Sequence, residues 1–326
     1  MRSSRWIRLT LFLLSAGCVT AAIIFSPVEI DKTVDFTPGM SAREFAGILK
    51  QEGVLRFETP FLIYLKLTGA DRRLKPGKHE LAGIRCFATL ASELQRERTL
   101  LIKITVPEGL TLALTATLLE KQGCGASGSF IAASGRAGFY ANNLPDLGMI
   151  PATLEGFLFP ETYHFRPGES REVVIRTMLN QFSRALARVS GDKTTFLGTF
   201  ESVVLASIIE REAVVDAEKS RISGVFHNRL RKKMALESCA TVLYALGTHK
   251  ERLLLEDLKI KSEYNTYMHA GLPPGPICSP GEKSLYAAMH PESHDYLYFI
   301  SEGNTHHFSR SLSEHLQWKK KLKKSN

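Results

Sequence analysis

Apolar and polar positions recur at several periods along this chain, and each period predicts an element. The first apolar stretch is unbroken: Leu9 to Phe25 carries no charge over 17 residues, with Arg2, Arg5 and Arg8 before it. That length is near the lower limit for a helix crossing about 30 Å of hydrocarbon. No comparable cationic cluster follows, so the positive-inside bias puts the N-terminus in the cytoplasm and the rest of the chain outside. The run continues to Phe25 and meets Pro27 without a clean small-x-small cleavage site. "SAGC", ending at Cys18, is a poor lipidation site, because Ser15 stands where a large aliphatic is usual. An uncleaved single-pass anchor over residues 1–26 is expected.

The pattern then shortens. "TVDF" alternates like a strand, "TPG" turns, and Ser41 with Glu44 three residues later forms a capping box for a helix over "AREFAGILKQ" that Gly53 stops. The pattern recurs as "ITVPEG", Thr111, "LALTATLLEKQ" and Gly123, with Gly39 and Gly53 each offset by 70 from Gly109 and Gly123. This is either an internal duplication of a small α+β unit or convergence on strand-turn-helix. A module boundary is expected near residues 96–99, giving units 27–98 and 99–326. In the second unit, Arg171 to Arg188 reads as a helix, and Phe200 to Met234 as one long helix or two in tandem. A Pro/Gly-dense loop follows "SEYNTY", Ser284 opens a short helix, and "DYLYFIS", "EGN" and "HHFSRS" predict a hairpin. "LSEHLQWKKKLKK" closes as a helix. The fold class is α+β.

Composition sharpens this picture only modestly. A hydrophobic content of 44% with 23% charged residues fits a globular chain with a sizeable core. The net charge of +9 is partly terminal, from "RSSRWIR" and "WKKKLKK". No zinc-finger spacing, aromatic RNA-binding signature or basic recognition helix is present, so nucleic acid is not the expected partner. No Walker loop, Rossmann glycine pattern, GxSxG elbow or HExxH helix appears, and no cofactor or metal is called for. The histidines of "HPESH" and His306-His307 lack a carboxylate frame. The cysteines match no zinc spacing.

The candidate chemistry lies in "LASIIEREAVV", where Glu210 and Glu212 interrupt an apolar run. At 100° per residue Glu210 shares a stripe with Val203, Ala206, Ser207, Ala213 and Val214, whereas Glu212 falls between Leu205 and Ile208. Small neighbours leave room for a ligand, and apolar walls favour the protonated carboxyl that a general acid requires. A salt bridge to Arg211, Arg221 or Arg229 is the competing reading, and Glu212 serves as well on the residues alone. Glu155 and Glu161 bracket "GFLFP", with Tyr163 beyond. Tyr264, Asn265, Thr266 and Tyr267 open the Pro/Gly loop with groups suited to sugar hydroxyls and rings, or to turn capping.

Taken in order, "LEGFLFPETYHF", "ASIIEREA", "RISGVFHNRL", "TVLYALG", "YNTYMHAGLPPGPI", "SPGEKSLYAAMHP" and "DYLYFIS" resemble one family strongly, the endolytic murein transglycosylases or YceG-like proteins. The resemblance covers roughly Leu100 to Arg310. It implies a transmembrane anchor, a small LysM-like module over 27–98 and a mixed α+β catalytic domain facing the cell wall from the bacterial inner membrane. It implies a lyase that cuts the glycan between N-acetylmuramic acid and N-acetylglucosamine within the strand, leaves 1,6-anhydro ends without water, and terminates nascent strands. Glycan strands, the inner membrane and peptidoglycan-synthesis proteins are the implied partners.

The resemblance also selects Glu210 as the catalytic acid and base. It implies substrate roles for Glu155, Glu161, Tyr163, Ser207, Thr241, Tyr264, Asn265, Thr266 and Tyr267, and supporting roles for Glu212 and Asn228. The chain departs from the family where Gln-Ser-Asp-Pro-Thr becomes Glu237-Ser238-Cys239-Ala240-Thr241, and where Ala-Asn-Pro-Gly becomes Cys278-Ser279-Pro280-Gly281. The departures imply a Cys239–Cys278 disulfide near the cleft. They also leave open a catalytically impaired cell-wall binding or scaffold protein. A hydrolase using Glu155 or Glu161 as a second carboxylate is the remaining alternative.

Overall fold

The computed structural model describes residues 32–37, 39–82, 86–96, 101–247, 250 and 253–325. The apolar run at 9–25 and the anchor expected over 1–26 lie outside them. Among the described residues no helix is long and apolar enough to cross a membrane. The chain divides into two compact units, Met1–Leu101 and Ile102–Asn326.

In the first unit β1 (Thr33–Phe36) pairs antiparallel with β2 (Gly77–Glu80), Val34 opposite His79. Between them run α1 (Ala42–Gln51), α2 (Glu58–Thr68) and a 3₁₀ turn at Ala70–Arg72. The capping box forms: the Ser41 amide donates to Glu44 at 2.6 Å and the Glu44 amide to Ser41 Oγ at 3.4 Å. α1 buries Phe45, Ala46 and Leu49 on one face, and Phe45 stacks on Phe36 with ring centroids 4.1 Å apart. The helix α3 (Phe87–Leu94) adds Leu90 and Leu94 to the same core.

The second unit begins with the same order of elements. Strand β3 (Ile102–Thr105) is followed by α4 (Leu112–Lys121), α5 (Ser127–Ser134), a 3₁₀ turn at Ala137–Asn143 and β4 (Thr162–Phe165), which returns antiparallel to β3. The glycines that turn the first strand into its helix match as well, Gly39 at φ +91° and Gly109 at +77°.

A helical layer covers this start. α6 (Arg171–Val189) buries Val174, Ile175, Met178, Leu179 and Phe182, at the i, i+1, i+4, i+5, i+8 spacing of one helix face. The Phe200–Met234 stretch is two helices, α7 (Thr199–Glu212) and α8 (Lys219–Arg231), separated by a 3₁₀ turn at Asp216–Glu218. α7 is buried all round from Ser202 to Ile209, so it is a core helix and not a surface one. The short α9 (Cys239–Leu246) follows, and α10 (Glu282–Met289) packs against α6, α7 and α8. The expected hairpin is β5 (Tyr298–Glu302) with β6 (Thr305–Ser309), Phe299 opposite Phe308, and α11 (Leu312–Ser325) lies on it.

The Pro/Gly-dense loop between α9 and α10 has almost no regular structure, yet its backbone groups are tied down. Asn265 Nδ2 donates to the carbonyls of Leu258 and Ile260, both at 2.9 Å. The Ile277 amide donates to Ser207 Oγ at 3.0 Å. Gly109 and Leu110 exchange two backbone bonds with Ser279, at 2.9 and 2.8 Å. These bonds carry the loop across α7 and onto the β3–α4 turn.

Candidate active site

Glu210 sits near the C-terminal end of α7, where two other elements converge on its carboxylate. The Gly281 amide donates to Oε2 at 3.0 Å and Ser284 Oγ donates to the same oxygen at 2.7 Å. Both donors belong to the first turn of α10, whose unpaired amides and dipole favour a negative partner. Lys219, the first residue of α8, brings Nζ to 3.4 Å from Oε1 and 3.5 Å from Oε2. The Glu210 and Lys219 side chains are only 9% and 6% exposed, so water screens this pair little. Lys219 also pairs with Asp216 at 3.1 Å, and Lys283 with Asp216 at 2.5 Å.

Two expectations change here. The competing salt bridge exists, but to Lys219 and not to an arginine. The stripe of small residues does not leave room for a ligand. The segment Ile277–Cys278 fills it, held by the Ile277 bond to Ser207 and by Cys278 Sγ donating to the Ser207 carbonyl at 3.2 Å.

Beside this cluster lies a cavity of about 330 Å³ lined by Gly109, Thr111, Leu114, Glu155, Arg211 and Tyr244 among others. Gly109 joins cavity and carboxylate: a Cβ placed on it would lie 3.6 Å from the Arg211 side chain and 3.8 Å from Glu210 Cγ. Glu155 is held at the opening turn of α4, its two oxygens accepting from the Leu112 amide at 2.9 and 3.1 Å, with Tyr244 Oη donating at 3.3 Å. The next residue, Gly156, has φ +83°, and a side chain there would run into Pro276 at 2.3 Å, so only glycine lets this turn seat Glu155 against the loop.

Burial pushes the Glu155 carboxyl from 4.5 to about 7, against the Leu112 and Tyr244 hydrogen bonds that pull it down. Below pH 4.5 the folded and unfolded chains both hold this proton. Between 4.5 and about 7 only the folded chain does, so stability falls as pH rises through that window. The loss amounts to roughly 3–4 kcal/mol at about 1.4 kcal/mol per unit. In Glu155→Gln this component vanishes. Urea midpoints of wild type and variant from pH 4 to 8 are expected to differ in slope below pH 7 and to run parallel above it. Equal slopes throughout would show that Glu155 titrates normally.

The remaining expected site residues separate into two groups. Tyr163, Ser207, Thr241, Asn265 and Thr266 are buried and bonded inside the protein. Tyr163 Oη donates to the Phe159 carbonyl at 2.7 Å, and the Thr241 and Thr266 hydroxyls bond each other at 2.8 Å. Tyr264 and Tyr267 are half-buried, Tyr264 with its ring 4.8 Å from that of Tyr244. Glu161 is exposed and accepts from the Thr162 amide at the start of β4.

Glu212 lines a different cavity, of about 460 Å³, with Arg229, Tyr267, Tyr298 and His306. Ser238 Oγ donates to it at 2.5 Å, and burial raises its carboxyl above the ordinary range. Asn228 Nδ2 donates to the carbonyls of His294 and Tyr296 at 2.8 and 3.0 Å, holding the approach to β5.

The expected Cys239–Cys278 disulfide is absent. Both thiols are free: Cys278 is buried against Ser207, while Cys239 lies at the start of α9 with Sγ 3.2 Å from Tyr267 Oη. The two departures from the family pattern therefore sit in different surroundings, each thiol with its own partner. Among the described residues no group of three or more His, Cys, Asp or Glu is placed to hold a metal ion.

A model of the YceG-like family matches residues 34–321. A Bacillus subtilis protein named endolytic murein transglycosylase is 34% identical over 315 residues, which cover 91% of this chain and 88% of that protein. A Streptococcus pneumoniae protein of the same name is 28% identical over 88% of this chain and 59% of its own length. The crystal structure of a yceG-like protein from Listeria monocytogenes superposes with a TM-score of 0.62 at 32% identity, covering 88% of this chain and 98% of that one.

Proposed function

Because the chain belongs to the YceG-like family, we propose that it is an endolytic peptidoglycan lytic transglycosylase with Glu210 as its acid and base. It cuts the bond between N-acetylmuramic acid and N-acetylglucosamine inside glycan strands and leaves 1,6-anhydro ends.

The observation that carries the reading is the uneven bonding of the Glu210 carboxylate beside the cavity. Oε2 accepts from both Gly281 and Ser284, whereas among the described residues Oε1 has only the longer contact to Lys219. An oxygen already accepting two donors is a poor place for a proton, so Oε1 carries the one that moves. In the first step Oε1–H protonates the leaving glycosidic oxygen as the C1–O bond breaks. Lys219 and the first turn of α10 stabilise the carboxylate left behind. In the second step the muramyl C6 oxygen bonds to C1, and its hydroxyl proton returns to Oε1. Glu210 ends as it began, and no water is consumed.

The departing segment Glu237–Thr241 packs on Glu212 and Thr266 and supplies none of the Glu210 contacts, which favours an active enzyme over an impaired binder. The finer proposals follow the sequence. Residues 1–26 anchor the chain in the inner membrane, with the two units outside. The first unit, with its strand, two helices and antiparallel return strand, acts as a LysM-like holder of glycan, and the site works beside the peptidoglycan-synthesis proteins to terminate new strands.

Incubating peptidoglycan with the full chain and weighing the released glycans tests the central reading. Anhydro ends are one water lighter than hydrolysed ends. Hydrolysed ends, or no release at all, would overturn it.

A further inference from the structure

Glu108 is the polar group beside the site that the mechanism above does not use. It lies in the β3–α4 turn, next to Gly109, and is open to solvent. No hydrogen bond or ion pair of its carboxylate is found among the described residues. It lies directly against Gly281: a Cβ on that glycine would fall 1.9 Å from Glu108 Oε1 and 2.1 Å from Cδ. The same Gly281 gives its amide to Glu210 Oε2. Two carboxyls from different elements thus meet at one residue of backbone.

We propose that Glu108 is a second catalytic carboxyl, facing the sugar across from Glu210, which acts through its charge. Breaking the glycosidic bond leaves positive charge on C1 and the ring oxygen, and a carboxylate with no cation of its own beside the site lowers the cost of that charge. The two carboxyls also repel each other, so the charge of one bears on the other. The groups facing Glu108 are Glu210 from α7, Lys219 from α8, Asp216 from the connection between them and Lys283 from α10, with Arg211 at the neighbouring Gly109. The lysines are each shared with Asp216, and Lys219 with Glu210 as well, so neither neutralises Glu108 alone. Partial burial and the Glu210 charge both raise the Glu108 carboxyl, consistent with two acids interacting.

The inference rests on Glu210 being the acid and base, and the test separates the two. Release of anhydro ends by the full chain is followed from pH 4 to 9 in wild type, Glu108→Gln, Glu108→Asp, Gly281→Ala and Glu210→Gln. Glu108→Gln is expected to lower kcat roughly 10- to 100-fold with KM within about twofold. Its alkaline limb moves toward acid, because the repulsion between the two carboxyls is gone. Glu108→Asp keeps the limb near wild type. Gly281→Ala keeps the amide that Glu210 needs but pushes the Glu108 carboxylate aside, so its limb moves as in Glu108→Gln. A Glu108→Gln profile that superimposes on wild type, or falls uniformly with its limb unmoved, overturns the proposal. An active Glu210→Gln overturns instead the reading on which it rests.

Discussion

Glu210→Gln is expected to abolish anhydro-end formation, with a rate loss between about 10² and 10⁴-fold for the missing acid and base, while the fold survives. Glutamine is isosteric, and its amide oxygen can still accept from Gly281 and Ser284, so the first turn of α10 keeps its partner. Its NH₂ group then faces Lys219, a donor against a donor. Lys219 retains Asp216 at 3.1 Å, so the lost partner leaves no isolated buried cation. The variant is therefore expected to melt within a few degrees of wild type and to bind glycan, while mass spectrometry finds no anhydro ends. A normal yield of anhydro ends from Glu210→Gln would remove Glu210 from the chemistry. A chain that fails to fold would instead mean that the Lys219 pair is chiefly structural. In that event Glu210→Asp decides the matter: it keeps the charge for Lys219 but withdraws the carboxyl from the sugar, so it should fold and remain slow.

The parts of this site that repeat a local rule were legible in the sequence. The capping box at Ser41 and Glu44, the helix over Arg171–Val189 and the hairpin ending in "HHFSRS" follow from spacing alone, because their stabilising contacts lie a few residues apart. Helix geometry also separated Glu210 from Glu212, and the structure gives them different surroundings, Glu210 beside Gly109 and Glu212 on the wall of a separate cavity. Everything that depends on a distant partner was hidden. Nothing in "AEKSRISG" announces that Lys219 returns to Glu210, since the turn at Asp216–Glu218 sets that geometry. Nothing in "SPGEKS" announces that Ser284 and Gly281 will point at Glu210, 74 and 71 residues away. The polar residues that looked made for sugar, Asn265 and Thr266 above all, proved to be the bonds that order an irregular loop. A long loop crossing a protein interior must satisfy its backbone groups somewhere, and side-chain amides and hydroxyls are the usual means. Glu108 was passed over for the opposite reason: in a Pro-Glu-Gly turn an acid reads as solvated, and only the fold brings Gly281 beneath it.

The largest expected effect on stability is at Arg229. This side chain is nearly buried, yet every group around it is an acceptor: the carbonyls of Leu297 at 2.7 Å, Ala235 at 3.1 Å and Leu236 at 3.0 Å, and the Glu237 carboxylate at 3.0 Å. Its guanidinium also lies over the Tyr298 ring, 5.1 Å from the centroid. One planar group thereby ties α8 to the start of β5 and to the segment that leads into Ser238 and α9. Truncation in Arg229→Met strands three carbonyls at this corner. Each group left unsatisfied costs about 1–3 kcal/mol. Arg229→Lys should recover only part of this, because an ammonium cannot address carbonyls on two elements in the directions a guanidinium fork does. Glu237 is half exposed, so Glu237→Gln should cost no more than about 1 kcal/mol. That contrast separates the clamp on the carbonyls from the ion pair. Urea unfolding of the four chains measures both terms. If Glu237→Gln destabilises as much as Arg229→Met, the ion pair and not the carbonyl clamp holds this corner. The active site gives a second readout, because Glu210 takes its donors from Lys219, at the opposite end of α8 from Arg229, and from α10. At a temperature where Arg229→Met is still folded, its anhydro products should keep wild-type chemistry and the alkaline limb of its pH profile should not move.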